Sequence, residues 1–359
     1  MESRLSVFLL AGTILVPGLV PIQQVTAEAT PKESLVVLSK RNHTLSIVDP
    51  ATLKVVAKAP IGEDPHEVVA SADGKTAYVS IYGGGAFHTL SVVDLVGQKA
   101  LPTIDLGALN GPHGLYEQGG KIWFTAEGAK AIGSYDPVVG KIDWIMGTGQ
   151  DRTHMIYLTA DGKQIYTTNV SSATVSILEK VTRTMMPPPP PLGGQGGPNG
   201  PPPGGGGPRT EWEQTVIPVG RGDEGFDVSP DGKELWTANS QDGTISVLDL
   251  AQKKVVATLS ADVGGANRLK FTPDGKLVLV STLQGGALTV LDAATRTVVK
   301  RVDIGHGAAG IQMRPDGAVA YVACTPDNYV AVMDLNTLTV VGKIDAGGEP
   351  DGLAWVVQK

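Results

Sequence analysis

SPDGKELWTANSQDGTISVLDLAQKKVVATLS, residues 229–260, shows the unit from which the chain is built. A tight Asp231-Gly232 turn leads into the alternating run LWTAN, a second run, ISVLD, ends in an acid at Asp249, and a third, VVATL, follows a polar turn. Asp-Gly supplies the positive φ that tight hairpins require, and Val, Ile, Leu and Thr suit strands. Each strand alone is too small to hold a core.

The acid-ended run recurs as LSIVD, LSVVD, IGSYD, VSILE, ISVLD, LTVLD and AVMD, closing at Asp49, Asp94, Asp136, Glu179, Asp249, Asp292 and Asp334. The intervals are 45, 42, 43, 70, 43 and 42 residues, so seven units are present and one carries an insertion. A period near 42 is that of a four-stranded propeller blade. In phase run SADGKTAYVS, QGGKIWFTA, TADGKQIYTT, SPDGKELWTA, TPDGKLVLVS and RPDGAVAYVA, each a strand, a tight turn and a second strand. The expected fold is all-β: a seven-bladed β-propeller of four-stranded antiparallel blades, with inner, second, third and outer strands typified by 67–72, 76–80, the run ending at Asp94, and 54–61. Closure is also legible. The chain starts its strands with SLVVLSK at Ser34 and ends with PDGLAWVV, so residues 353–357 are expected to complete the N-terminal blade and latch the ring.

The DGK turns, the AYVS, IYTT and LWTAN strands and the TISVLDLAQKKVVATL continuation resemble the YVTN-type, YncE-like β-propeller repeat family. The resemblance covers essentially all of the chain between the leader and the C-terminus outside one insertion. It implies the fold and leaves function open, because propellers host many unrelated activities.

Residues 1–29 combine Arg4, an apolar run over 5–20 and a small-x-small site at Ala27-Glu28-Ala29, the pattern of a cleaved signal peptide. A membrane anchor fits less well, because the run is shorter than the ~20 residues a span needs and is broken by Pro17. A periplasmic or extracellular product without a membrane span is expected, with residues 30–359 as a single propeller domain. The single cysteine, Cys324, excludes an intramolecular disulfide and reads as a small, partly buried packing residue. A formal charge of −7 with no dense Lys/Arg run argues against nucleic acid as a partner. Residues 185–208, almost all Pro and Gly, interrupt the fourth blade between a third strand ending at Glu179 and an outer strand over 215–219. They read as a disordered loop, with a tether or polyproline recognition segment as the alternative.

Aligning each inner strand by its distance to the next Asp-Gly turn places His66, His113, His154, Glu224, Asn267, Ala309 and Asp351 at one structural position. The alignment of His113 requires a one-residue deletion. Three histidines on successive blades are expected to converge at one channel mouth, where they suit a divalent transition metal with an open coordination position. Glu127, Arg152, Glu224, Arg268 and Asp351 are the candidate catalytic groups beside them, with Tyr82 and His88 in neighbouring loops. The alternative is that the histidines only hydrogen-bond adjacent blades. His43 and His306 fall off the register and read as surface residues. No GxSxG, HExxH, CxxCH or GxxxxGK[ST] signature is present. The leading expectation is a monomeric binding or scaffold propeller for a small molecule or another exported protein. A metal-assisted lyase or hydrolase working at the same face is the second.

Overall fold

The computed structural model describes residues 28–184 and 208–359, so the expected leader (1–29) and Pro/Gly-rich loop (185–208) lie almost wholly outside the described residues. The described residues form seven four-stranded antiparallel sheets arranged as a ring of blades. Beside them is a single 3-10 turn at Gly83–Gly85.

The recurrent acid has a direct physical role. Asp49, Asp94, Asp136, Asp249, Asp292 and Asp334 each accept a hydrogen bond from a backbone N–H two or three residues ahead, at 2.7–3.0 Å. A short carboxylate folding back on its own chain closes the turn into the outer strand. The Asp-Gly turns work similarly: the Asp73 carboxylate accepts from the Ser71 hydroxyl at 2.6 Å and the Lys75 N–H at 3.1 Å, while Gly74 takes φ 69°.

The fourth blade departs from the expectation. Its third strand does not end at Glu179; it runs over Thr174–Thr184 and pairs with an equally long outer strand, Pro208–Pro218, from Thr174↔Pro218 to Thr184↔Pro208. Glutamate is one methylene too long for the aspartate turn. Glu179 instead pairs with Lys253 and accepts from Gln164 Nε2 at 2.6 Å, leaving the strand free to continue.

Seven apolar clusters hold the ring, and each draws residues from two adjacent blades. Leu35 and Val37 of the first blade, for example, share a cluster with Tyr321 and Val332 of the seventh. The C-terminal strand, Pro350–Val357, pairs with Glu33–Ser39 as the inner strand of the first blade, somewhat longer than expected. Cys324 closes the second strand of the seventh blade and is fully buried.

Removing the last eight residues deletes Leu353, Trp355 and Val356 from two cores, each such side chain contributing roughly 1.5–3 kcal/mol when fully buried. The truncated protein is expected to lose its cooperative urea transition. A transition with only a slightly lowered midpoint would show that the latch is dispensable.

Candidate functional site

Every inner strand breaks register just inside its channel-mouth end, after Pro65, Pro112, Thr153, Asp223, Ala266, Ala308 and Pro350. The residue that follows each of these is the aligned one: His66, His113, His154, Glu224, Asn267, Ala309 or Asp351. A bulge leaves a residue out of the ladder and re-aims its side chain. Hydroxyls on the second strands satisfy the backbone that the bulges free. Ser80 accepts from Glu67 N–H at 2.9 Å, while Thr125 accepts from Gly114 N–H at 2.8 Å and donates to His154 C=O at 2.7 Å. Glycine at the next position lets neighbouring blades touch: a Cβ on Gly114 would lie 2.5 Å from His154 C=O, and one on Gly352 2.3 Å from His66 C=O.

The three imidazoles are brought together. The His66 and His113 rings lie 4.7 Å apart, and those of His113 and His154 lie 3.8 Å apart at 35°. Tyr82 packs against both His66 and His113, at 4.8 and 5.3 Å. His113 and His154 are only 3 % and 2 % exposed. They line a cavity of about 210 Å³ together with Lys40, Arg152, Glu224 and Asp351.

A second ring of equivalent positions, the residue just after each second strand, supplies the partners. Lys40 Nζ lies 3.0 Å from His66 Nε2 and 2.8 Å from Asp351 Oδ2. Tyr82 donates to Glu127 Oε2 at 2.6 Å, and Glu127 Oε1 is hydrogen-bonded to His154 Nδ1. His154 Nε2 faces Glu224 Oε2 at 3.4 Å, and Arg152 bridges Glu127 and Glu224 at 3.5 and 3.4 Å. Asp64, a partner of His66 at 3.0 Å, and Lys40 escaped the sequence reading. Lys40 was findable, because it aligns with Tyr82 and Glu127; Asp64 had no comparable signal. His88 is exposed and sits 3.7 Å from Asp105, apart from the cluster. His43 and His306 are exposed, as expected.

Arg268 is not available as a free guanidinium. It forms an ion pair with Glu67 and donates to Asn267 C=O at 3.0 Å. The partners come from the second and sixth blades, so the pair spans the channel. Both also line a larger cavity of about 430 Å³ that continues along the channel past Tyr116, Tyr157 and Trp355.

The titration of the two buried histidines diverges. Burial holds His113 well below the usual imidazole range, reinforced by the positive charges of His154 and Arg268. Burial opposes charge on His154 too, but its hydrogen bond to Glu127 and the nearby Glu224 carboxylate outweigh it and raise the pKa; Nε2, 3.4 Å from Glu224, is itself buried without a hydrogen-bond partner. Despite burial, Glu224 is pulled down to about 2 by His154 and Arg152, and Glu127 is lowered by His154, Tyr82 and Arg152. Tyr82 is pushed up to about 12 by burial and by Glu127. Asp223, next in chain to Glu224, is pushed up to about 8 by burial; its Oδ2 accepts from Asn169 N–H at 3.1 Å while Oδ1 is buried without a partner. The site is therefore an imidazole held between two carboxylates that favour its charged form, packed against a second imidazole whose burial favours the neutral one. Among the described residues no three His, Cys, Asp or Glu side chains are arranged to hold a metal ion. His113 and His154 meet ring against ring, and the Nδ1 of His154 is turned to Glu127.

Fold and site together define a seven-bladed propeller with a chemically differentiated arc at one channel mouth. Residues 207–316 match the YNCE-like beta-propeller family, in agreement with the repeat resemblance. The fold is shared with a functionally unknown protein from Desulfotomaculum acetoxidans (TM-score 0.67, 14 % identity, covering 91 % of this chain and 99 % of that one). It is also shared with hydrazine synthase of Kuenenia stuttgartiensis (0.62, 18 %, 80 % and 88 %) and with a dihydro-heme d1 dehydrogenase (0.61, 16 %, 91 % and 76 %). No curated protein matches the sequence. The propeller fold and the family match support a general binding or scaffold role, and no helix among the described residues is long and apolar enough to cross a membrane.

In an NMR pH titration, His154 is expected to titrate above the ordinary imidazole value and to move down in Glu127→Gln, while His113 stays neutral. A His154 pKa unchanged by the substitution would break the assigned pairing. Asp223 gives a second test. Its folded pKa lies above the unfolded one, so its contribution to stability is complete below about pH 3.8 and is lost as pH rises towards about 8. Asp223→Asn should match wild type in acid and melt progressively higher than it between pH 5 and pH 8 in thermal denaturation.

Proposed function

We propose that this chain is an exported binding propeller whose polar arc holds a small polar molecule at the channel mouth. The observation that carries this is His113. Its Nδ1 is buried without a hydrogen-bond partner, beside a cavity lined by Arg152, His154, Glu224 and Asp351. An unpaired buried polar atom costs about 1–3 kcal/mol, which a ligand group placed against it would recover. Positive Lys40 and Arg152 alternate with negative Glu224 and Asp351, so the cavity favours a ligand carrying both donors and acceptors. Export rests on the leader-like residues 1–29, and the sunken, small cavity supports a small molecule over a protein partner.

A second reading is acid/base catalysis by a lyase or hydrolase. The Glu127–His154 pair favours it, because a carboxylate that orients an imidazole and raises its pKa makes it a better-placed general acid. Proton transfer through His154, with Glu224 opposite, fits these residues better than metal assistance does.

A thermal-shift panel of small carboxylates, phosphates, amino acids and divalent metal chlorides, run on wild type and His113→Ala, tests the binding reading. At 100 times Kd a ligand stabilises the protein by about 2.7 kcal/mol. At least one organic compound is expected to raise the wild-type Tm and to have no effect on His113→Ala. Equal shifts in both proteins, or shifts from metal salts alone, would overturn it.

A further inference from the structure

The seven blades act as internal controls for one another. The middle residue of each acid-ended strand faces the next blade, and six of the seven are Ile47, Val92, Ile177, Val247, Val290 and Val332, all buried in inter-blade cores. In the third blade the same position is Ser134, buried to 1 % exposure but hydrophilic. Across the sheet it pairs with Trp123 on one side and Trp144 on the other. The aromatic residues equivalent to Trp123 in four other blades, Tyr78, Tyr166, Trp236 and Tyr321, are buried, whereas Trp123 is partly exposed.

Trp212 of the fourth blade continues the row. The Trp123 and Trp144 rings lie 5.4 Å apart and those of Trp144 and Trp212 lie 5.5 Å apart, all three partly exposed along a cleft of about 580 Å³. That volume is within the range of small-ligand sites, about 300–1,000 Å³. Trp212 exists in a strand because this hairpin runs past Glu179: it pairs with Lys180, whose ammonium lies 5.1 Å from the indole centroid. Hydrogen-bonding groups meet the indoles in the cleft. The Ser134 hydroxyl donates to Asp143 Oδ1 at 2.6 Å, and Lys121 pairs with the same carboxylate, which retains lone pairs for further donors. Lys121 and Lys180 are balanced by Asp143 and Asp161, so neither a cation nor an anion is favoured.

We propose that this cleft between the third and fourth blades is a saccharide-binding site for neutral oligosaccharides. Indole faces take the apolar C–H face of a pyranose, Asp143 and Lys121 serve its hydroxyls, and buried Ser134 fixes the Asp143 carboxylate that does so. A plain inter-blade core would not place a serine and an ion pair between tryptophans, since six other interfaces close with valine or isoleucine.

The test is titration of the full chain with cellotriose, maltotriose, chitotriose and mannotriose, followed by tryptophan emission and NMR, with a pentaproline peptide as the competing probe. At least one trisaccharide is expected to bind, with affinity falling tenfold or more, about 1.4 kcal/mol, in Trp144→Ala and in Ser134→Val. Ser134→Val restores the residue type of the other blades and should keep or raise the melting temperature, so its loss of binding reports the site alone and decides the matter if Trp144→Ala does not fold. No response to any saccharide up to roughly 10 mM, binding unchanged in Ser134→Val, or binding of pentaproline in place of the sugars would overturn the proposal.

Discussion

No blade in this molecule can bury itself. Each sheet exposes two faces, and every apolar cluster is assembled from the facing sides of two neighbours, one of them joining the last blade to the first. The ring is stable because it is closed, and it closes because the C-terminal strand lies against Glu33–Ser39. Burial of apolar area drives the association, and the geometry of seven such contacts leaves inner strands facing a common axis. All that happens at the channel mouth depends on that arrangement.

The polar arc is a product of the same contacts. Position for position, a residue after one blade's second strand meets the bulged residue of the following blade: Lys40 with His66, Tyr82 with His113, Glu127 with His154. Sites built this way straddle an interface already rigid for other reasons, which preorganises the side chains at little extra cost in entropy. At the corresponding second-ring positions of the fourth to seventh blades stand Val170, Ser240, Leu283 and Thr325, with no ionisable group among them. The ring is therefore uniform in backbone and polarised in chemistry: burial pushes the His113 pKa down, while the carboxylates beside His154 push its pKa up within the same stack.

Much of this was legible in the sequence because the repeat is periodic and its turns have strict chemistry. Asp-Gly and the strand-ending aspartates locate the strands, and a common offset from the turns brings His66, His113 and His154 to one level. The fourth blade was misjudged at Glu179, where glutamate resembled its six aspartate counterparts in charge but cannot make their turn. Lys40 and Asp64 were missed because only the inner-strand row was aligned, and contacts between rows depend on how adjacent blades pack. Arg268 was visible, but not its neutralisation by Glu67 across the axis, since the sequence holds no record of which of seven blades face each other. Ser134 went unremarked in IGSYD, although the other runs carry valine or isoleucine at that place, and its meaning required the tryptophans of three separate strands to be seen side by side.

The Glu67–Arg268 pair gives the central passage a diaphragm. Arg268 borders the smaller space on one side and, with Glu67, the larger space on the other. Arg268 thus stands between the space that holds the histidines and the longer space lined by Tyr116, Tyr157 and Trp355. Because this salt bridge is largely shielded from water, a charge brought beside it in either space acts on the other through a medium that screens weakly, and the two faces of the ring are electrostatically in touch.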